Sequence, residues 1–155
     1  MATTTNLGIT KLNSADYVSV DPINEALDTL DKLGVDYVTA SGTSGEWWYR
    51  KWKSGRAECG IDSHNFGTVN VDQAWGAMFV SANQTFGAYP FSFAAKPHVN
   101  IQFQGSDAGE TGQQSYVAAA SSTSTSTSPY FRLVDPYSNQ HNNVLCSIKV
   151  EGRYK

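Results

Sequence analysis

Hydrophobic and polar side chains alternate along several stretches of the chain, a pattern typical of half-buried β-strands. In the stretch 98–104 every second residue is apolar, namely Val99, Ile101 and Phe103. The final stretch, 144–154, alternates in the same way, with Val144, Cys146, Ile148 and Val150 directed to one side. Turn formers separate at least seven such stretches, and no helical pattern follows Gly34. The pattern therefore predicts a mainly β fold, an antiparallel β-sandwich that follows a short N-terminal helix.

A tryptophan-rich stretch, 47–61, predicts a β-hairpin. Ser54-Gly55 is a turn dipeptide, and a two-residue loop there places Trp52 opposite Ala57 and Arg50 opposite Cys59. Directly opposed residues share a face of the sheet. The predicted buried face collects Trp48, Trp52, Ala57, Cys59 and Ile61.

Other stretches are less regular. The apolar run 74–80 predicts one buried strand, and 87–95 has aromatic residues at period two, with Pro90 indicating an edge or a bulge. A strand is predicted at the start of 116–128 and another at 130–135. The stretch 137–143 is rich in amide side chains, which favours an exposed polar turn.

A helix is predicted over residues 22–33. Asp21 provides an N-cap, Pro22 suits the first helical position, and Gly34 suits the C-terminal end. Its apolar stripe includes Ile23, Leu27, Leu30 and Leu33. A helix of about 12 residues needs a partner surface in water. The pattern leaves two partners open, the sheet of the same chain or the same helix of neighbouring copies.

Charge and composition divide the chain of 155 residues into two parts. Residues 1–45 carry two basic and six acidic side chains, whereas residues 46–155 carry nine and eight. The stretch 39–45 has the small-residue composition of a linker, so residues 1–45 are predicted to be an N-terminal segment and residues 46–155 a sandwich domain. No basic stripe and no run of about 18 apolar residues occurs, which argues against nucleic acid as a partner and against membrane insertion.

Catalytic and metal-binding motifs are absent from the sequence. No nucleophile elbow, HExxH motif or phosphate-binding loop occurs, so we expect no enzyme, no cofactor and no metal site. Cys59 and Cys146 occupy apolar positions of predicted strands and are predicted to be buried, reduced thiols. Acid pairs such as Asp62 with Asp72 leave a glycan-degrading enzyme as a further hypothesis.

Sugar binding is the activity that the side chains suggest most directly. Carbohydrate sites combine an exposed aromatic ring with amide and hydroxyl groups, and the chain offers both. The predicted ligand-binding residues are Trp47, Tyr49, Tyr89, Tyr137, Asn139, His141 and Asn142. The alternative is that Trp48, Trp52 and Trp75 belong to the core and that the polar stretch 137–143 is simply solvated.

Three blocks of sequence resemble tail proteins of bacteriophages and prophages that infect Gram-positive bacteria. The first is NLGITKLNSADYVSVDPINEALDTLDKL, similar to the lead-in of tail-fibre and minor tail proteins, and the second is the hairpin EWWYRKWKSGRAECG at 46–60. The third is the pair YPFSFAAKPHVNIQF at 89–103 and LCSIKVEGRY at 145–154, similar to strands of distal tail domains. H-type lectins, trimeric sandwiches that bind N-acetylgalactosamine, show a similar strand pattern. The last strand departs from the tail-protein pattern, because Gly152-Arg153-Tyr154 stands where a tryptophan is usual.

The resemblance implies a virion tail component that assembles in the bacterial cytoplasm. Such proteins are usually homotrimers, which attach to other tail or baseplate proteins and contact a host cell-surface glycan. In a trimer the stripe of Ile23, Leu27, Leu30 and Leu33 would pack about the threefold axis. A free-standing, lectin-like carbohydrate-binding module of bacterial origin is the alternative, since it would need neither the N-terminal segment nor a tail partner.

Overall fold

The computed structural model describes residues 21–32, 36–106 and 115–155, which form one helix and ten strands. The helix α1 covers Asp21–Lys32. The strands are β1 Val38–Ser44, β2 Trp47–Trp52, β3 Arg56–Asn65, β4 Val69–Trp75, β5 Met78–Ser81, β6 His98–Gly105, β7 Tyr116–Ala119, β8 Phe131–Asp135, β9 Asn139–His141 and β10 Leu145–Arg153. The chain is therefore mainly β, as predicted.

The strands form two five-stranded antiparallel sheets. Sheet 1 has the order β1-β2-β3-β10-β6, and sheet 2 has the order β7-β8-β5-β4-β9. The inner faces of both sheets contribute to one buried apolar cluster, in which Cys59 and Val150 of sheet 1 join Val71 and Leu133 of sheet 2. This arrangement confirms the predicted β-sandwich.

Two long alternating stretches form the strands that their patterns predict. In β6 the residues Val99, Ile101 and Phe103 are partly buried and the residues between them are exposed. In β10 the buried residues include Cys146 and Val150, whose neighbours in the chain face outward. The strands predicted at the start of 116–128 and within 130–135 are present as β7 and β8.

The predicted register of the β2–β3 hairpin is wrong by one residue. The loop between β2 and β3 has three residues, not two, with Gly55 at φ 88° and its N–H donating to the carbonyl of Trp52 at 3.0 Å. Tyr49 consequently pairs with Cys59, and Trp48 pairs with Gly60. Because side chains alternate across a strand, this shift exchanges the two faces.

The predicted buried face of this hairpin is corrected accordingly. Trp47 is buried in the core, whereas Trp48 and Trp52 lie on the outer face and are only partly buried. Ala57, Cys59 and Ile61 are buried as predicted.

Three further stretches differ from their predicted structures. The apolar run 74–80 is a hairpin, not one strand, because Gly76 adopts φ 65° and reverses the chain between β4 and β5. Residues 87–95 form no strand, since their backbone bonds instead to the 125–126 segment, as in the N–H of Phe93 donating to the carbonyl of Thr125 at 2.8 Å. The polar stretch 137–143 contains β9, which pairs with β4.

The two cysteines are free and buried, which confirms the prediction of reduced thiols. Burial raises the pKa of the Cys59 thiol to about 12, and the negative charge of Glu58 contributes in the same direction. Burial also raises the pKa of Cys146 to about 12. Both thiols therefore stay protonated at neutral pH and pack as small apolar groups.

The chain divides into two compact units, residues 1–37 and 38–155. The boundary lies before β1, so the stretch predicted as a linker at 39–45 instead forms most of a strand paired with β2. In the first unit the helix confirms the predicted element at 22–33 to within a residue, although Leu33 itself lies outside the described residues. Ile23 and Leu30 are exposed on this helix, at 46% and 56% of their surface, and Leu27 is partly exposed.

Candidate functional site

The seven side chains predicted to bind sugar fall into two separate groups. Trp47, Tyr49 and Tyr89 belong to an aromatic cluster at the edge of the core. The rings of Trp47 and Tyr89 meet edge to face at 5.6 Å, and Tyr49 meets Phe91 at 6.1 Å. Trp47 and Tyr89 are less than a tenth exposed, so neither ring presents a face to a ligand. These two aromatics stabilise the sandwich by burial.

The second group lies on and beside β9. Tyr137 is exposed, and Asn142 accepts a hydrogen bond from the hydroxyl of Thr68 at 2.9 Å. Asn139 pairs with Val71 across the β4–β9 ladder. His141 is completely buried, contrary to the expectation of an exposed polar turn. Only Tyr137 and Asn142 of this group are exposed to solvent.

His141 is held in a buried polar cluster. Its Nε2 lies 3.1 Å from Oδ2 of Asp135 and 3.1 Å from Oγ of Ser115, and its Nδ1 lies 3.4 Å from Oγ of Ser106. The backbone N–H of Tyr137 donates to the other oxygen of Asp135 at 3.1 Å. Each polar group in this cluster has a partner, which is the condition for burying such groups. Because the imidazole is enclosed, its role in this conformation is structural.

A concave surface on the outer face of sheet 2 offers a better site. Val80 and Val134 pair across β5 and β8, are almost completely buried, and lie outside the main core cluster. They form an apolar floor beneath the ring of Trp75, which is 61% exposed. We name this concavity of about 290 Å³ the Trp75 groove, and its lining residues are Trp75, Val80, Ala118, Ala119, Ala120, Arg132 and Val134.

The strand order of sheet 2 places aromatic rings on both sides of this floor. Tyr116 on β7 is directly opposite Val134 and is about half exposed. On the other side, the β4–β5 hairpin carries Trp75 at its tip, where Gly76 begins the turn. Two exposed rings thus flank a floor of two valines.

One cation lines the Trp75 groove. Arg132 is directly opposite Ala118 on β7, and its Nε donates to Oδ1 of Asn83 at 2.7 Å. Within the described parts of the chain, no carboxylate forms an ion pair with Arg132. The groove therefore combines an aromatic ring, an apolar floor and an oriented guanidinium, which is the composition of a small-molecule site.

A second concave surface lies on the outer face of sheet 1. The indole of Trp48 lies over Gly60, and its Nε1–H donates to Oδ1 of Asp62 at 2.9 Å. Two adjoining cavities of about 250 and 430 Å³ share Trp48, Asp62 and Lys149 in their walls. The guanidinium of Arg50 lies 5.9 Å from the centre of the Trp48 ring and partly covers it.

Charged side chains on this face of sheet 1 neutralise one another. Glu58 is buried between Arg50 and Lys149, with nitrogen–oxygen distances of 3.6 and 3.7 Å. Lys149 also contacts Glu151 at 2.7 Å, and this hydrogen bond raises the pKa of Lys149 and lowers that of Glu151. With a covered ring and paired charges, this surface offers a ligand less than the Trp75 groove does.

Sequence reasoning missed both main residues of the Trp75 groove. The apolar run 74–80 predicts a buried strand that contains Trp75, whose place in the core is the alternative to sugar binding, and no sequence pattern singles out Arg132. The signal that could have revealed the exposure of Trp75 is Gly76. A glycine inside an apolar run can mark a turn, and a tryptophan beside a turn lies at the tip of a hairpin, where it can be exposed.

No group of His, Cys, Asp and Glu side chains suited to a metal ion occurs in the described ranges. The helix that the structure describes is too short and too polar to cross a membrane.

Comparisons of the chain with protein-family models, with curated proteins and with solved structures give no match. The class that the fold defines is thus a two-sheet antiparallel β-sandwich with an aromatic groove on one outer face.

Proposed function

We propose that this chain is a structural protein of a phage or prophage tail, associated with the fibre or baseplate, that binds a host cell-surface glycan through the Trp75 groove. The observation that carries the binding part is the exposed indole of Trp75 above a buried apolar floor. The apolar face of a sugar ring stacks on an aromatic ring, while its hydroxyls bond to polar groups at the rim. The tail assignment rests on the resemblance of three sequence blocks.

The groove supplies both kinds of contact. Trp75 offers a ring, and Arg132 offers donors that are held in place by Asn83. Because the groove lies entirely in the unit 38–155, the sandwich itself carries the binding surface. The first unit carries the exposed apolar side chains Ile23 and Leu30, which we assign to self-association in a homotrimer.

Glycan binding is tested with Trp75→Ala and a matched control, Tyr137→Ala. Both residues are exposed aromatics, but only Trp75 lines the groove. Binding of the purified protein to cell-wall polysaccharide and to arrayed glycans should fall at least tenfold in Trp75→Ala, because losing the apolar contact of a large side chain costs roughly 1.5–3 kcal/mol and about 1.4 kcal/mol corresponds to tenfold. Tyr137→Ala should bind like the unmodified protein. Equal loss in both variants, or none in Trp75→Ala, would refute the assignment.

The oligomeric state is tested by light scattering of the full chain and of Leu30→Ser. We expect a trimer mass for the unmodified chain and a smaller mass for the variant, since Leu30 belongs to the apolar stripe of α1 and is 56% exposed. Glu25→Ser, at an exposed polar position of the same helix, is the control. A monomer in every case would remove the argument for a fibre.

A free-standing lectin-like module is the second candidate. It is favoured by the division of the chain at Tyr37, which leaves a compact sandwich with its own groove. The two candidates differ in what Leu30→Ser does to multivalent binding. A tail trimer loses avidity for a polymeric glycan when it dissociates, whereas a module that acts alone binds unchanged.

A further inference from the structure

We infer that the ligand of the Trp75 groove is an anionic saccharide, whose carboxylate or phosphate group pairs with Arg132. This inference rests on the proposed function of the same groove and specifies its ligand class. The first step is the position of the guanidinium, which lines a concavity with a nearly buried valine floor. A cation at the wall of an apolar concavity is expected to take an anion, since the lower local dielectric strengthens their attraction.

The second step is that the guanidinium is oriented. Its Nε donates to Oδ1 of Asn83 at 2.7 Å, and this bond uses Nε–H but neither terminal nitrogen of the guanidinium. Those nitrogens present parallel N–H groups, and this fork matches two oxygens of a carboxylate or a phosphate. A neutral hydroxyl offers a single oxygen, so it cannot place one acceptor against each N–H of the fork.

The third step is the absence of a competing anion within the described residues. The acid of β8, Asp135, faces the interior and contacts His141. Glu58, the buried acid of sheet 1, is paired with Arg50 and Lys149. Among the described residues, no carboxylate compensates the charge of Arg132, in a protein whose net charge is −3. Long-range repulsion disfavours an acidic ligand elsewhere on such a surface, so the local cation selects where it binds.

The fourth step is size. A cavity of about 290 Å³ lies at the lower end of the range for small-molecule sites. One sugar ring against Trp75 fills it, with the acidic substituent directed to Arg132. Two sources supply the same chemistry, a sugar acid and a sugar phosphate.

The test compares glucose, glucuronic acid and glucose 6-phosphate as ligands of the full-length protein, by titration followed with NMR and calorimetry. The variants are Arg132→Gln, which removes the charge, and Arg132→Lys, which keeps the charge but loses the fork. Lys96→Gln removes an equal charge from an exposed position outside the groove and is the control. Asn83→Ala releases the guanidinium without changing its charge.

We expect at least one acidic ligand to bind about tenfold more tightly than glucose, because a charge-assisted bond is stronger than a neutral one. That preference should vanish in Arg132→Gln, weaken in Arg132→Lys and Asn83→Ala, and persist in Lys96→Gln. It should also weaken with added salt. Preference for glucuronic acid alone assigns a sugar acid, and preference for the phosphate alone assigns a sugar phosphate.

Three results would overturn the inference, and they separate it from the proposed function. Equal binding of glucose and both acids that depends on Trp75 but not on Arg132 overturns the anionic ligand and leaves glycan binding in place. No binding of any of the three ligands at millimolar concentration, or binding unaffected by Trp75→Ala, overturns both. If Trp75→Ala has a lower solution mass than the unmodified protein, the groove is an interface between copies of the chain, and the ligand assignment is overturned.

Discussion

Gly60 is the position at which one added methyl group should disturb the sandwich most. It lies in β3, which is paired on one side with β2 and on the other with β10. A Cβ built at Gly60 would lie 2.6 Å from the carbonyl oxygen of Ile148 and 2.7 Å from Cζ2 of Trp48. Gly60→Ala therefore forces a shift of a central strand, of the indole, or of both.

The magnitude follows from two opposing effects. Alanine in place of glycine, without any clash, would stabilise the fold by about 0.4–1 kcal/mol through the unfolded chain. Overpacking of a dense site destabilises a fold by about 1–3 kcal/mol. A backbone oxygen of an internal strand cannot move aside as easily as a side chain, so the clash with Ile148 is not readily relieved. We expect a net loss of about 1–2 kcal/mol in the free energy of unfolding. For a domain of this length, that loss lowers the melting temperature by roughly 3–10 °C.

Urea unfolding followed by tryptophan fluorescence measures the change. Gly42→Ala is the matched control, because Gly42 also lies in a strand of sheet 1 but its Cβ would meet only the tip of the Tyr49 side chain, at 3.1 Å. That variant should stay within about 0.5 kcal/mol of the unmodified protein.

A double-mutant cycle with Trp48→Ala separates the two contacts of the new methyl group. If the indole causes part of the strain, Gly60→Ala is less harmful in the Trp48→Ala background, and the remainder reports the contact with the Ile148 carbonyl. The near-ultraviolet circular dichroism of the single variant should change as well, since the indole must leave its position over the glycine. Gly60→Ala as stable as the unmodified protein would refute the packing of Trp48 on β3.

Three further predictions concern buried polar groups. Tyr89→Phe should leave the free energy of unfolding unchanged or raise it by about 1 kcal/mol, because the buried hydroxyl has no hydrogen-bond partner within the described residues. A clear loss of stability in a urea titration would contradict this. His141→Ala should lower the free energy of unfolding by about 2–4 kcal/mol, since it leaves a cavity and removes a partner of buried Asp135. A loss below about 1 kcal/mol would show that the polar cluster around His141 is not tightly packed. The pKa of Cys59 and of Cys146 is raised to about 12 in the fold from an ordinary 9.0, so both stay protonated at pH values where the unfolded chain loses these protons. The two thiols should therefore leave the free energy of unfolding unaffected below pH 9 and lower it between pH 9 and 12. The corresponding measurement is urea unfolding across that range, where Cys146→Ala should show a shallower decline.

The strands themselves were predictable because alternation reports burial directly. In β6 and β10 one face meets the core and the other meets solvent, so period two in the sequence becomes period two in exposure. The aromatic run 87–95 also alternates, which suggested a strand there, but alternation reports burial and not strand pairing. Tyr89 and Phe93 are buried there, but their burial comes from a segment bonded to residues 125–126 and not from a ladder.

The register of the β2–β3 hairpin was not predictable from its apolar pattern, because its four large aromatic side chains suit either face of the sheet. The decision lies in the loop, where Gly55 at φ 88° closes three residues instead of two. Because the loop has three residues and not the predicted two, Tyr49 packs against the core and Trp48 does not. A pattern that contains Trp47, Trp48 and Tyr49 in succession is apolar in both registers, so it cannot select between them.

The candidate site was hidden for a related reason, since it depends on the order of strands and not on any one of them. Trp75 and Arg132 lie on β4 and β8, and they reach the same groove only because β5 is paired between those strands. The exposure of Trp75 follows from the turn at Gly76, and the direction of Arg132 follows from its bond to Asn83 in the segment after β5. Neither residue is unusual by itself, because an isolated tryptophan is most often core and an isolated arginine is most often solvated. Their juxtaposition above Val80 and Val134 is the basis of the proposed site, and sequence spacing does not reveal it.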